Sequence, residues 1–166
     1  SVTPYHLFFC DEDMTGYNTN LKVNPPLRTK EERESLKQAV LNGTVDCIAS
    51  HHLPHEFDSK VIEFEYAKWG MIGLETAYAA LNTAVTGISA EKCVELLAVN
   101  PRKIFGLGAA TVNTGNTASL TLFNPSQQWT VEEKDIKSKS SNSPFIGKQL
   151  TGKAAGIVTK GKIILA

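Results

Sequence analysis

Three of the four histidines in this 166-residue chain, His51, His52 and His55, fall within five positions, directly after the apolar run Val45 to Ala49. The fourth, His6, ends the strand-like segment Val2-Thr3-Pro4-Tyr5. Neutral imidazole is the commonest protein ligand for zinc-like metals and titrates near physiological pH, so imidazoles at strand ends point to metal-assisted chemistry. A single strand-end histidine is more often a hydrogen-bonded structural residue, but this clustering reverses that balance. Parallel barrels present functional side chains at the carboxyl ends of their strands, so His6, Asn24 and His51 are expected at one mouth, a metal beside a polar substrate anchor. Zinc there would bring the pKa of bound water to about 7 and polarise a carbonyl, which hydrolyses an amide without a covalent nucleophile. A serine or cysteine mechanism is the weaker idea. No Gly-x-Ser-x-Gly elbow exists, Cys47 lies mid-strand, and Gly106-Leu107-Gly108 is too short for a phosphate loop.

The elements that must carry these residues read as alternating strands and helices, the rhythm of β/α units with a parallel sheet. Strands are expected at Val2 to Tyr5, at Leu21 to Asn24 ahead of Pro25-Pro26, and at Val45 to Ala49, the last buried on both faces. Thr29 and Glu32 form a capping-box pattern for a helix with Leu36, Ala39 and Val40 on its apolar face, closed by Asn42-Gly43. After His55 a long polar segment runs to Trp69-Gly70, placed as a loop over a strand end. Leu74 to Val85 reads as a helix burying Leu74, Ala77, Tyr78, Leu81 and Val85. Ser89 caps another over Ala90 to Ala98, burying Val94, Leu97 and Ala98 and ending at Asn100-Pro101. Beyond Gly106, strands are expected at Ser119 to Phe123, Trp129 to Val131 and Gly156 to Leu165, the last a hairpin about Lys160-Gly161, with Lys137 to Ser143 an exposed loop.

With 42% apolar residues the chain can bury a core, and its 17 basic side chains balance its 17 acidic ones without a basic block, which disfavours nucleic acid as a partner. No apolar run approaches the roughly 20 residues that span a bilayer, so a soluble, cytoplasmic protein is expected. Cys10, Cys47 and Cys93 are widely spaced with no Cys-x-x-Cys pair, which reads as three buried thiols. The chain enters a strand pattern at Ser1, the expectation for a piece of a longer protein.

Five stretches together resemble dihydroorotase of the type related to the multifunctional pyrimidine-pathway enzyme, an amidohydrolase. They are Val2 to Leu7, Lys22-Val23-Asn24-Pro25-Pro26-Leu27-Arg28, Ser50-His51-His52-Leu53-Pro54-His55, Asn100 to Gly106 and Asn142 to Gly147. They run in order over essentially the whole chain, which corresponds to the C-terminal part of such an enzyme. The resemblance implies an α/β fold: residues 1–106 as strands 6 to 8 of a (β/α)8 TIM barrel with the following helices, and 107–166 as part of a small β-sandwich domain. It implies zinc as cofactor of the whole enzyme and reversible hydrolysis of dihydroorotate to N-carbamoyl-L-aspartate. His6 would be a metal ligand, Asn24 would hydrogen-bond the substrate, and His55 would help hold its carboxylate. Trp69-Gly70 stands where the family has Phe-Gly, whose backbone contacts the pyrimidine ring.

The family reads Asp-His-x-Pro-His where this chain reads His51-His52-Leu53-Pro54-His55, so His51 replaces the catalytic, metal-binding aspartate that shuttles the proton. Imidazole has one lone pair and ligates instead of shuttling when it coordinates; loss of such a base costs about 10²–10⁴-fold. The other implied ligands, a His-x-His-x-Arg motif among them, are absent from these residues. A second reading is therefore a silent homologue that scaffolds aspartate transcarbamoylase. The remaining barrel, or a homodimer, would cover exposed strand edges.

Overall fold

The computed structural model describes residues 1–109 and 111–165; of the β segment expected at 107–166, Ala110 and Ala166 lie outside the described residues. Among the described residues five α-helices follow in chain order: α1 (Pro4–Phe8), α2 (Lys30–Leu41), α3 (Ala77–Ala84), α4 (Ala90–Val94) and α5 (Asn100–Ile104). They precede one antiparallel sheet of β1 (Ser119–Thr130), β2 (Gln149–Thr159) and β3 (Lys162–Leu165) in that spatial order.

The expected barrel strands are reduced to single parallel bridges, Val2 with Ile48 and His52 with Met71. Proline explains two of the three shortfalls. Pro4 has no N–H to give a ladder and suits the first helical turn, where Thr3 Oγ1 accepts from His6 N, so the chain coils into α1 after Val2. Thr19–Leu21 forms a 3₁₀ turn, and Pro25-Pro26 stops the extended residues that follow. In the third segment Ile48 N donates to Leu96 O, a helix carbonyl, instead of to a strand.

Helix α2 follows its sequence signals closely. The Thr29 side chain accepts from Glu32 N while the Glu32 carboxylate accepts from Thr29 N, and Val40 is fully buried. Helix α3 starts later than Leu74, which is 62% exposed, because the N–H groups of Gly73 and Leu74 both donate to His52 Nδ1. The helix expected to end at Asn100-Pro101 continues instead. A π turn, Glu95–Val99, links α4 to α5; Asn100 N reaches back to Glu95 O, and Pro101 sits in the first turn of α5, where no N–H is needed. The π turn also rotates the buried face. Cys93 and Leu96 are buried in place of Val94 and Ala98, which with Leu97 line an apolar groove of about 340 Å³ against β1 and β2.

The two strands expected at 119–123 and 129–131 are one, β1, with register shifts at Leu122/Phe123 and between Asn124 and Gln128. Pro125 falls in the second shift, where a missing N–H costs the ladder nothing. The hairpin of β2 and β3 turns at Lys160 and Gly161, both at positive φ (48° and 73°), as a two-residue connection of right-twisted strands requires.

Two buried clusters hold these elements. Tyr5, Phe9, Met71 and Ala79 pack with Val131, Phe145 and Leu150 in one; Leu7, Val40, Ile48, Leu81 and Leu96 form the other. Helix α3 is tied to β2 by polar contacts as well: Thr83 Oγ1 accepts from Thr151 N, and Asn82 Nδ2 donates to Thr151 O. The end of the serine-rich loop is not exposed as expected, since Asn142 and Ser143 are buried. Cys10 and Cys93 are buried thiols, burial pushing Cys93 up to about 11, whereas Cys47 is half-buried. Among the described residues no helix is long and apolar enough to cross a membrane.

The turn that joins the His52 bridge to α3 is packed to its limit. A Cβ on Gly73 would lie 2.6 Å from the Ser50 carbonyl oxygen, while one on Gly108 would meet nothing within 4 Å. Gly73→Ala should therefore destabilise the protein by about 1–3 kcal/mol in a denaturant titration, and Gly108→Ala by less than about 0.5 kcal/mol. Equal effects would contradict this packing.

Candidate functional site

Three of the expected residues line two separate clefts, while Asn24, Trp69 and Gly70 line neither. His6 on α1 and His51 line the first, of about 470 Å³, whose rim includes Pro25, Pro26 and Arg28. His55 lines the second, of about 210 Å³, with Asn20, Lys60, Lys139 and Asn142. Asn24 is exposed and lines neither cleft; its neighbour Pro25 joins it to the first, because Pro25 O is 2.9 Å from His6 Nε2.

A carbonyl can only accept, so His6 carries its proton on Nε2 and its Nδ1 accepts from the Thr3 hydroxyl at 2.7 Å. Burial holds the His6 pKa below the usual imidazole value, and the neighbouring His51 adds to that, against the opposing Pro25 carbonyl. Between the two imidazoles lies Tyr5, its ring centroid 4.6 Å from that of His6 and 6.0 Å from that of His51, with interplanar angles of 38° and 24°. Its hydroxyl makes a short hydrogen bond with His51 Nδ1, and burial holds the phenol above its usual pKa, so Tyr5 is the donor. His51 takes a left-handed backbone conformation, φ 46°, a region that histidine enters more readily than bulkier or branched residues.

His52 is structural: its Nδ1 accepts from Gly73 N at 3.1 Å and Leu74 N at 3.3 Å, which makes its ring the anchor of the turn before α3. His55 is tied to the far end of its loop, Nε2 lying 2.7 Å from Trp69 O. Asn142 joins both arms, accepting from His55 N and donating to Leu53 O at 3.0 Å and Gly70 O at 3.4 Å. Gly70 has φ 112°, and a Cβ there would lie 2.6 Å from Leu53 Cβ, so only glycine fits. The Trp69 side chain is 57% exposed beside it.

Sequence reasoning missed three participants. Tyr5 reads as core packing and is indeed buried, yet it also bonds His51. Lys60 reads as a loop lysine but is only 6% exposed. Asn142 opens one of the stretches that resemble dihydroorotase, but nothing in the sequence marks its side chain as the tie between the two arms of the loop.

These residues do not by themselves make a metal centre. Both His6 nitrogens are engaged, His51 has one nitrogen on Tyr5, and among the described residues no group of three or more His, Cys, Asp or Glu is placed to hold a metal. A zinc site takes three protein ligands at the least, so the remainder would have to come from other parts of a longer chain.

The fold is that of part of a hydantoinase-like amidohydrolase. It superposes over 98% of its length on L-hydantoinase (dihydropyrimidinase) from Arthrobacter aurescens, with a TM-score of 0.85 and 26% identity, covering 38% of that chain. In sequence the chain is dihydroorotase-like. It is 43% identical over 164 residues to the dihydroorotase of Caldicellulosiruptor saccharolyticus, a match that takes in 97% of this chain and 38% of that protein. The dihydroorotase of Clostridium acetobutylicum is 39% identical over 166 residues, 98% of this chain and 39% of its own. The fold is shared also with the inactive dihydroorotase-like domain of the Chaetomium thermophilum CAD-like multifunctional protein, at a TM-score of 0.66 and 21% identity, over 97% of this chain and 42% of that one. No family model matches the chain. It spans under two-fifths of the length of the curated relatives.

Because burial and His51 both oppose a charge on His6, its imidazole should be neutral at pH 7 and titrate below 6.5 by NMR. Folding then discriminates against the protonated ring, so this residue's contribution to stability falls as acidification proceeds from about 6.5 downward. A His6 titration at or above 6.5 would contradict the burial described.

Proposed function

We propose that the chain is the C-terminal part of a dihydroorotase-type cyclic amidohydrolase, acting in the cytoplasm in pyrimidine biosynthesis, whose whole form interconverts dihydroorotate and N-carbamoyl-L-aspartate. One observation carries this reading: 43% identity to a dihydroorotase, sustained over 97% of the chain. The residues divide the work. Residues 1–106 complete the barrel and 107–166 the small β domain. Asn24 hydrogen-bonds the substrate, His55 holds its carboxylate, and the Trp69-Gly70 backbone borders its ring. His6 would be a ligand of the metal, and His51 stands at the position of the catalytic, metal-binding aspartate. Zinc, when bound in such an enzyme, activates water and polarises the carbonyl. A neutral His6 is in the protonation state that such a role requires, and the remainder of the barrel would complete its surroundings.

A specific observation favours a second reading, a silent homologue that partners aspartate transcarbamoylase. His51 replaces the expected carboxylate, and its Nδ1 is taken by the Tyr5 hydroxyl, which leaves one nitrogen for either ligation or proton transfer.

Turnover separates the two. The full-length protein, supplied with zinc, should open and close the dihydroorotate ring, and His51→Asp should raise the rate by less than about tenfold. No turnover in the wild type, with activity appearing on His51→Asp, would establish the silent homologue instead.

A further inference from the structure

We infer that Lys60 is a positioning residue for the substrate, its buried ammonium fixing the Lys68 to Gly70 backbone in its ligand-facing geometry. The inference rests on the reading above, in which Trp69 and Gly70 border the substrate. Lys60 Nζ donates to Thr19 O at 2.7 Å, Lys68 O at 2.8 Å and Gly70 O at 3.0 Å. An ammonium has three N–H groups and no acceptor, so three carbonyls satisfy it completely. No carboxylate among the described residues pairs with it.

The geometry makes three consecutive carbonyls immobile. Those of Lys68 and Gly70 are held by Lys60, and that of Trp69 between them by His55. A second cross-tie, from Thr19 Oγ1 to Lys60 O at 2.5 Å, fixes the lysine's own backbone. Between His55 and Gly70 the only helical element is the 3₁₀ turn Phe57–Ser59, so a buried cation takes the place that a strand ladder would occupy. Burying an unpaired charge is costly until hydrogen bonds offset it, more than closing a loop requires. It also leaves positive potential beneath the second cleft, which suits an anionic ligand.

The chemistry of this hub is pH-dependent. Burial, and secondly the charge of Lys22, pull the Lys60 pKa down to about 8. The other charged or titratable groups at this site are His55, Glu56 and Lys139, which share its cleft, and Lys68, which pairs with Glu56. A neutral amine has two N–H groups for three carbonyls, so raising the pH through about 8 releases one tie. Global stability moves the other way. Between about 8 and the usual 10.5 the folded chain binds fewer protons than the unfolded one, so this lysine's contribution to stability improves as pH rises. A structural role and a positioning role therefore predict opposite trends.

The test uses the full-length protein, its Lys60→Met and Lys60→Arg variants, and dihydroorotate as substrate. Wild-type KM should rise about tenfold from pH 7 to pH 9 with kcat little changed and thermal stability undiminished. Lys60→Met should show the raised KM at every pH, and Lys60→Arg, permanently charged, should lack the alkaline limb. A Lys60→Met protein with the wild-type KM and pH profile would overturn the inference. Should that variant not fold, selectively labelled wild type decides: the Trp69 and Gly70 amide signals should shift with a midpoint near 8, and unmoved signals would overturn it. That arm needs no turnover, so an inactive protein whose amides do shift would sink the functional reading alone.

Discussion

The segment from His52 to Met71 has almost no regular secondary structure, and its order depends on side chains bonding to backbone carbonyls. Lys60 reaches those of Lys68 and Gly70, and that of Thr19 outside the segment, Lys22 Nζ takes those of Phe64 and Glu65 at 2.7 Å each, and Asn142 and His55 take those at the two ends of the loop. Buried peptide groups must find partners, and a loop of this length inside a fold finds them only where long polar side chains reach in. The two cores then have something fixed to pack against. Met71 enters one cluster directly after Gly70, and its carbonyl accepts from Leu53 N to close the loop.

The four histidines fill three different chemical situations. His52 is a cap for a turn, His55 a clasp on Trp69, and His6 and His51 flank one buried tyrosine. Spacing along the chain placed them together; backbone conformation drew them apart. His51 at φ 46° interrupts what would otherwise be an extended run.

Much of the helical part was legible because local signals govern it. The Thr29 and Glu32 capping box, the Asn42-Gly43 stop and the Lys160-Gly161 hairpin are decided within a few residues, and each appears as expected. Apolar character overstates the strands because it does not reveal whether a ladder partner is available; Pro4 and Pro25 remove donors where the pattern would continue. The helix expected to end at Asn100 continues because a π turn is invisible to a count of 3.6 residues per turn. The pairing of imidazoles with Tyr5 and the burial of Lys60 are long-range, the lysine's partners lying at positions 19, 68 and 70, and no periodicity signals them.

The resemblance to dihydroorotase rests on motifs that these contacts explain in physical terms. Leu53 N bonds the Met71 carbonyl, His52 caps the turn before α3, and Gly70 admits no side chain. Where the resemblance implies an aspartate, this chain has His51, bonded through Nδ1 to the Tyr5 hydroxyl. Whether this part of the fold is a binding wall for a small cyclic amide is decided by calorimetric titration of dihydroorotate into the full-length protein. Saturable binding is expected, weakened at least about tenfold by His55→Ala through loss of a charge-assisted anchor. No binding, or binding indifferent to His55, would contradict it.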